Sequence, residues 1–211
     1  MLTENMKTRN KTIILASSSY RRKKLLKLIG LKFKAIGSNI NEDFIIKKFQ
    51  KKGFKNLVKI LSLAKAISVV GACHGKPHCN VPLQKNGIVA GFDTIVVCKN
   101  KIIGKPKSKK DALRKILFLS GKEHKVLTGI ALIDLKRKKI IIDHEVTKVK
   151  MRRILKKDAL SYIKTKEPLD KAGAYAIQGK GGKFVKSISG DYFNVVGLPL
   201  NKFLLMLEAL Y

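Results

Sequence analysis

The sequence predicts an α/β fold built on a mixed sheet, and three observations carry that expectation. Helical and strand-like patterns alternate along the whole chain. Residues 88–149 are dominated by β-branched and apolar runs separated by short polar turns. Of 211 residues, 45% are hydrophobic, which suffices for the core of one domain or of two tightly joined lobes and excludes a disordered chain.

Each element has its own justification. Ile13, Ile14 and Leu15 form a short apolar run that ends in Ser17-Ser18-Ser19. Leu25, Leu26, Leu28 and Ile29 then share one helical stripe closed by Gly30, so the chain opens as strand, turn, helix. Residues 31–36 make a second short strand. The spacing over 44–67 is helical, with Asn56 a candidate N-cap for a segment 57–70. Residues 71–87, rich in Gly, Pro, His and Cys, read as a loop. Residues 88–90, 94–97 and 102–103 are strand-like, with a turn at Lys99-Asn100. A short helix over 111–119 ends at Gly121, and two long strands, 125–135 and 139–149, flank the polar turn Lys136-Arg137-Lys138. Helix 156–165, the glycine-rich stretch 171–182, strand 184–188 and an amphipathic helix 199–210 with Pro at its first turn complete the chain.

The net charge of +32 points to nucleic acid, an anionic membrane or a phosphorylated substrate. Only seven of the 46 cations are arginine, whereas a dedicated nucleic-acid reader favours Arg for bidentate contacts. The lysines are spread along the chain, as drift in an AT-rich genome and solvated faces would leave them. Non-specific, salt-sensitive sticking to nucleic acid is expected all the same. Three cysteines are too few and too uneven for a secreted disulfide framework, which favours a reducing compartment. No apolar run approaches the roughly 20 residues that cross a bilayer. Residues 1–11 form a polar N-terminal extension, and the apolar stretch 12–16 is too short for a signal peptide. These features predict a cytoplasmic protein with no membrane partner, its single domain running over 12–211.

Three constellations carry chemistry. Ser17-Ser18-Ser19-Tyr20-Arg21-Arg22 sits where a strand hands over to a helix, and unpaired N–H groups, hydroxyls and two guanidinium forks there suit phosphate oxygens. The same residues also fit a serine N-cap on a helix whose arginines face water. Gly91-Phe92-Asp93-Thr94, followed by Gly104-Lys105-Pro106, places an acid at an apolar strand. A carboxylate there costs desolvation unless it meets a metal, a proton donor or a cation, although a turn Asp and a loop Lys would read alike. The third constellation is the run from Glu167 to Gly179, followed by Gly190-Asp191-Tyr192 and the segment 194–199. Its glycines admit close backbone approach, and the Gln178 amide offers a donor and an acceptor to a base edge.

Together these blocks resemble the Maf family, the septum-formation-associated nucleoside triphosphate pyrophosphatases, from about Ile14 to Leu207. The family's phosphate loop is similar to residues 15–22, with Tyr20 where Pro is usual. Its central motif is similar to 91–94, with Phe92 where a small residue is usual; its Gly-Lys-Pro is 104–106. Its Ser-Gly, His and Thr-Gly positions fall at Ser120-Gly121, His124 and Thr128-Gly129, and the third block matches with Ala176 in place of Gly. The resemblance implies a largely antiparallel central sheet flanked by helices, in two lobes with a cleft, like inosine triphosphate pyrophosphatases. It implies Asp93 as catalytic acid, activating water or holding the metal. Ser17, Arg21 and Arg22 would bind the triphosphate; Glu42, Lys65 and Lys105 would complete the metal and phosphate shell; Gln178 and Thr94 would help choose the base. Asp170 is a secondary acid, and Asp43 is an alternative to Glu42. Mg²⁺ or Mn²⁺ suits such oxygen donors, and a homodimer is implied. The Asp-Thr pair resembles the branch that hydrolyses dTTP and UTP, and Phe92 is placed to narrow the pocket or stack on the base. The rival expectation is a catalytically impaired Maf fold serving as a nucleic-acid-binding or regulatory protein. Cys73-His74-Gly75-Lys76-Pro77-His78-Cys79 reads either as a zinc site or as a plain surface insertion, and its adjacent ligands would strain to enclose a tetrahedral ion.

Overall fold

A computed structural model describes residues 11–72 and 87–210. The greater part of the predicted extension 1–11 and the Cys73–Cys79 insertion therefore lie outside the described residues. The strands are β1 (Ile13–Leu15), β2 (Phe33–Ala35), β3 (Ile88–Cys98), β4 (Lys101–Ile102), β5 (Glu123–Asp134), β6 (Lys139–Met151) and β7 (Val185–Ser189). The helices are α1 (Tyr20–Leu28), α2 (Glu42–Phe49), α3 (Phe54–Ala72), α4 (Lys109–Leu119), α5 (Lys156–Lys164), α6 (Tyr192–Val196) and α7 (Leu200–Glu208). The sheet runs β2-β1-β3-β5-β6-β7, with β4 on β3. It is mixed as expected: β1 is parallel to β2 and β3, while β3–β4 and β6–β7 are antiparallel.

The chain divides into two compact units. One takes the residues up to Asp93, Thr128–His144 and the chain from Leu200 on; the other takes Thr94–Leu127 and Glu145–Pro199. In the first, Ala66 and Val69 of α3 join Ile14, Ala16, Val89, Ala131 and Ile133 in one core cluster. In the second, α4 and α5 supply Ala112, Ile116, Leu119, Ala159, Tyr162 and Ile163 to a core shared with Val96, Val126, Val149 and Phe184. Eleven-residue β3 is buried at every position but Thr94, the run of apolar residues expected of a strand covered on both faces.

The structure corrects three expectations. The helix expected over 44–67 is two helices, because a 3₁₀ turn at Gln50–Lys52 leads into Gly53 at φ +84°, a backbone that breaks the helical path. Asn56 is not an N-cap: it lies in the first turn of α3 and its side chain donates to the Lys52 carbonyl at 3.0 Å. Asn41 is the cap instead, on α2, accepting from the Phe44 N–H at 2.9 Å. Residues 88–90 and 94–97 belong to one unbroken strand. Short α6, whose start Asp191 caps by accepting from the Phe193 N–H at 2.7 Å, falls in a stretch the apolar spacing left without a helix.

Two glycines fix how α3 lies. A Cβ at Gly91 would come within 2.2 Å of the Ser62 carbonyl oxygen and 2.9 Å of the Ala66 nitrogen, and one at Gly129 within 2.0 Å of the Val58 carbonyl oxygen. The helix thus rests backbone to backbone on β3 and β5. Among the described residues no helix is long and apolar enough to cross a membrane.

Candidate active site

Lys65 lies on α3 between the two residues that touch Gly91, and Asp93 lies two residues beyond Gly91 on β3. Close seating of the helix therefore brings the two side chains together. The Lys65 Nζ donates to Asp93 Oδ1 at 2.5 Å and pairs with Glu42 Oε1 at 2.7 Å. Lys65 and Asp93 are 8% and 5% exposed, so both charges are withdrawn from water and each must find compensation locally. Glu42 comes from the first turn of α2 and keeps 40% of its side chain exposed. Asp43, the alternative to Glu42, is exposed.

The loop before α1 is built by its serines in different ways. Ser19 caps α1, accepting from the Arg22 N–H at 3.5 Å. Ser17, buried, accepts from the Ser19 N–H and from Arg22 Nη1, each at 3.2 Å. Capping thus accounts for Ser19 and not for Ser17. Tyr20 occupies the first helical position and is 77% exposed, where it costs the helix nothing that the more usual Pro would supply beyond a preset φ. Arg22 is buried, with its guanidinium 5.8 Å from the centre of the Phe92 ring. Burial lowers its pKa to about 10; the charges of Asp93 and Glu42 act against that shift and Arg21 adds to it. The guanidinium remains a cation at neutral pH, held beside two carboxylates.

Ser17, Arg22, Glu42, Lys65 and Asp93 are thus gathered in the first unit, with half-buried Arg21 next to them in sequence. Phe92 is a correction. Its ring is fully buried, edge-on to Phe203 at 5.4 Å, so it is a core side chain that supports Arg22 and does not stack on a base. The remaining candidates belong to the second unit. Thr94 is half-buried on β3, and a Cβ at Gly197 would sit 3.5 Å from its Oγ1. Lys105 is exposed, its carbonyl accepting from Lys115 Nζ at 2.7 Å. Gln178 is exposed just ahead of the 3₁₀ turn Lys180–Phe184, and Asp170 is exposed and paired with Lys171.

Sequence reasoning left several supporting residues without a role. Gly91 and Gly129 were visible as motif letters, but their use depends on a helix distant in sequence. His124 Nε2 and the Tyr175 hydroxyl lie 2.8 Å apart in the second unit's core, and burial lowers the His124 pKa to about 4, leaving the ring neutral. Glu167 and Tyr162 form a hydrogen-bonded pair at 2.8 Å beneath the Gln178 turn.

The donor chemistry fits a hard divalent cation. Glu42 and Asp93 direct carboxylate oxygens at one ammonium, and Mg²⁺ or Mn²⁺ is commonly held by one or two carboxylates together with water and phosphate oxygens. Among the described residues no group of three or more His, Cys, Asp or Glu side chains gathers to make an all-protein metal cage. The arrangement offers a carboxylate that can take a proton, fixed by a lysine, beside a buried arginine and a serine-lined turn at a helix start. That combination serves anionic phosphate chemistry.

Residues 12–210 match the family described as Maf-like protein. A dTTP/UTP pyrophosphatase of Clostridium botulinum (strain Kyoto / Type A2) is 46% identical over 192 residues, covering 91% of this chain and 93% of that protein. The dTTP/UTP pyrophosphatase of Acetivibrio thermocellus is 45% identical over 194 residues, 90% of each chain. That of Alkaliphilus metalliredigens is 44% identical over 190 residues, 90% of this chain and 91% of its own.

Proposed function

The chain belongs to the Maf family, and from that premise we propose that it hydrolyses dTTP and UTP between the α- and β-phosphates, giving the nucleoside monophosphate and pyrophosphate. The observation that carries the reading is the buried Lys65 ammonium shared by Asp93 and Glu42, in a chain 46% identical to a dTTP/UTP pyrophosphatase. Lys65 holds the Asp93 carboxylate in a single orientation, and Asp93 accepts the proton of the attacking water. Oxygen from that water bonds to phosphorus as the bridging P–O bond breaks, and the bridging oxygen leaves with pyrophosphate. Arg22, Arg21 and Ser17 bind triphosphate oxygens, and Lys105 offsets the charge that gathers on the leaving group. Glu42 and Asp93 would hold Mg²⁺ or Mn²⁺, which supplies Lewis-acid neutralisation of the phosphates. Thr94 and Gln178 select the pyrimidine.

We read residues 12–211 as one functional domain, cytoplasmic and homodimeric. The net charge of +32 favours one further property, weak nucleic-acid binding without sequence preference that fades as salt rises. The decisive experiment is pyrophosphate release from dTTP, UTP, dCTP, dATP, dGTP and 7-methyl-GTP, with and without Mg²⁺ or Mn²⁺. Metal-dependent release with dTTP and UTP leading is the expected result. A purine preference of tenfold or more, about 1.4 kcal/mol, would refute the base assignment alone. No release from any nucleotide would leave the binding-protein rival standing.

A further inference from the structure

The turn that carries Gln178 is organised by a carboxylate that belongs to none of the roles above. Glu167 precedes Pro168 in the 3₁₀ turn Glu167–Asp170 and is half-buried. One carboxylate oxygen, Oε1, accepts from the Tyr162 hydroxyl at 2.8 Å and from the Gly181 N–H at 3.2 Å; the other, Oε2, accepts from the Lys180 N–H at 3.1 Å. Lys180 and Gly181 open the 3₁₀ turn Lys180–Phe184, whose N-cap is Gly179. A glycine brings no side chain to cap the turn, and Glu167 supplies the missing acceptors from a distant segment.

Gly179 is what lets it in. A Cβ at that position would lie 2.5 Å from Glu167 Oε1 and 2.6 Å from Oε2. Gly181 is constrained likewise, since a Cβ there would meet the Tyr162 hydroxyl at 2.6 Å. The Tyr162 hydroxyl completes the clamp by accepting from the Ala176 N–H at 3.0 Å. Burial and the Glu167 contact together raise the Tyr162 pKa, so the hydroxyl keeps its proton and donates it to the carboxylate. Backbone is therefore gripped on both sides of Gln178, at Ala176 and at Lys180–Gly181, while the Gln178 side chain remains exposed.

We propose that Glu167, acting with Tyr162, is the positioning residue that presents Gln178 to the nucleobase and so sets the preference for pyrimidines. This rests on the reading of Gln178 as a base-selecting residue. A charge-assisted cap makes the turn rigid, and an amide held rigidly rejects a mismatched base edge more strongly than one that can turn away.

The test is a double-mutant cycle on nucleotide preference. Glu167→Ala, Gln178→Ala and the double variant are assayed for kcat/KM on dTTP and dGTP, with thermal melting and amide exchange of residues 176–182 as independent readouts. Glu167→Ala should reduce the dTTP to dGTP preference at least fivefold, mainly through the KM for dTTP, and should accelerate exchange at Lys180 and Gly181. In the Gln178→Ala background the same change should leave the preference unaltered. Glu167→Gln, which keeps an acceptor oxygen, should recover part of the preference, and Glu167→Asp, too short to reach both N–H groups, should not. An undiminished preference in Glu167→Ala despite faster exchange overturns the proposal, as does an equal loss on both nucleotides. If Gln178→Ala itself keeps the preference, the base-reading role of Gln178 fails, which is a separate result. Should Glu167→Ala not fold, Tyr162→Phe, which removes one arm of the clamp and leaves the carboxylate, carries the same comparison.

Discussion

The two units bury polarity in opposite ways. The first withdraws charges from water: Lys65 against Asp93 and Glu42, Arg22 beside them, and Asp134 against Lys11 at 2.8 Å. The second buries neutral hydrogen bonds: His124 to Tyr175 at 2.8 Å, and Asn194 donating to the Val126 carbonyl at 3.0 Å and to Thr147 Oγ1 at 2.9 Å. Its Lys105 and Gln178 are exposed, and the carboxylate that holds the Gln178 turn, Glu167, is only half-buried. A buried charge pair is a costly way to hold a fold together, since well-packed apolar residues can do as well. The function proposed above puts reaction chemistry in the first unit and recognition in the second. Asp134 limits the lesson: its carboxylate also accepts from the N–H groups of Lys136 and Arg137 at 3.0 and 3.1 Å, so there the buried charge closes the β5–β6 turn.

The largest effect that would break this contrast is at Asp93. Asp93→Asn should lower dTTP turnover by about 1,000-fold, roughly 4 kcal/mol of barrier. The melting temperature should change little, because Lys65 keeps Glu42. Activity within about threefold of the parent would remove the reaction from this cluster. Next in size is Gly91→Ala, whose methyl would meet backbone that cannot rotate away; a stability loss of at least about 3 kcal/mol is expected in denaturant titration. Gly104→Ala, with nothing within 4 Å of the added carbon, is the matched change in the second unit and should be nearly silent.

Arg22→Ala and Lys105→Ala sharpen the comparison further. Each should reduce kcat/KM by about thirtyfold, roughly 2 kcal/mol. Only the Arg22 variant should also melt earlier, since it alone is buried. Smallest is the pH response of His124. Its folded pKa of about 4 lies below the ordinary 6.5, so the unfolded chain binds the extra proton as pH falls through that window. Stability should be full near pH 7 and decline by about 2 kcal/mol on reaching pH 5. His124→Gln should flatten that decline, as followed by melting at each pH.

Much of the fold was legible because hydrophobic period reports burial directly. Residues 13–15, 125–135 and 139–149 alternate or run apolar as their strands require, and Gly30 and Gly121 mark helix ends with left-handed φ of +72° and +69°. The Phe44–Ile67 spacing hid the break at Gly53, since apolar residues continue on both sides of it. Five-residue α6 is shorter than one full period comparison. At the site, the Ser-Arg loop, Asp93 and the Gln178 amide stood out by residue type, and Glu42 and Lys65 entered through family resemblance. Gly91 and Glu167 could not be given roles, because each acts on backbone that only folding brings near. The burial of Phe92 was not legible, because its neighbour Phe203 lies over a hundred positions away.

The seating of α3 on two glycines has a consequence for how this scaffold tolerates change. An α-helix advances by about 100° per residue, so slipping α3 by a single position would swing Lys65 away from Asp93. Gly91 and Gly129 act as a keyway that admits the helix at one indexing only. Because that indexing is set where backbone meets backbone within α3, chain length gained or lost after Ala72 need not be transmitted to the lysine. The ammonium and its two carboxylates then keep their alignment whatever length of chain joins α3 to β3.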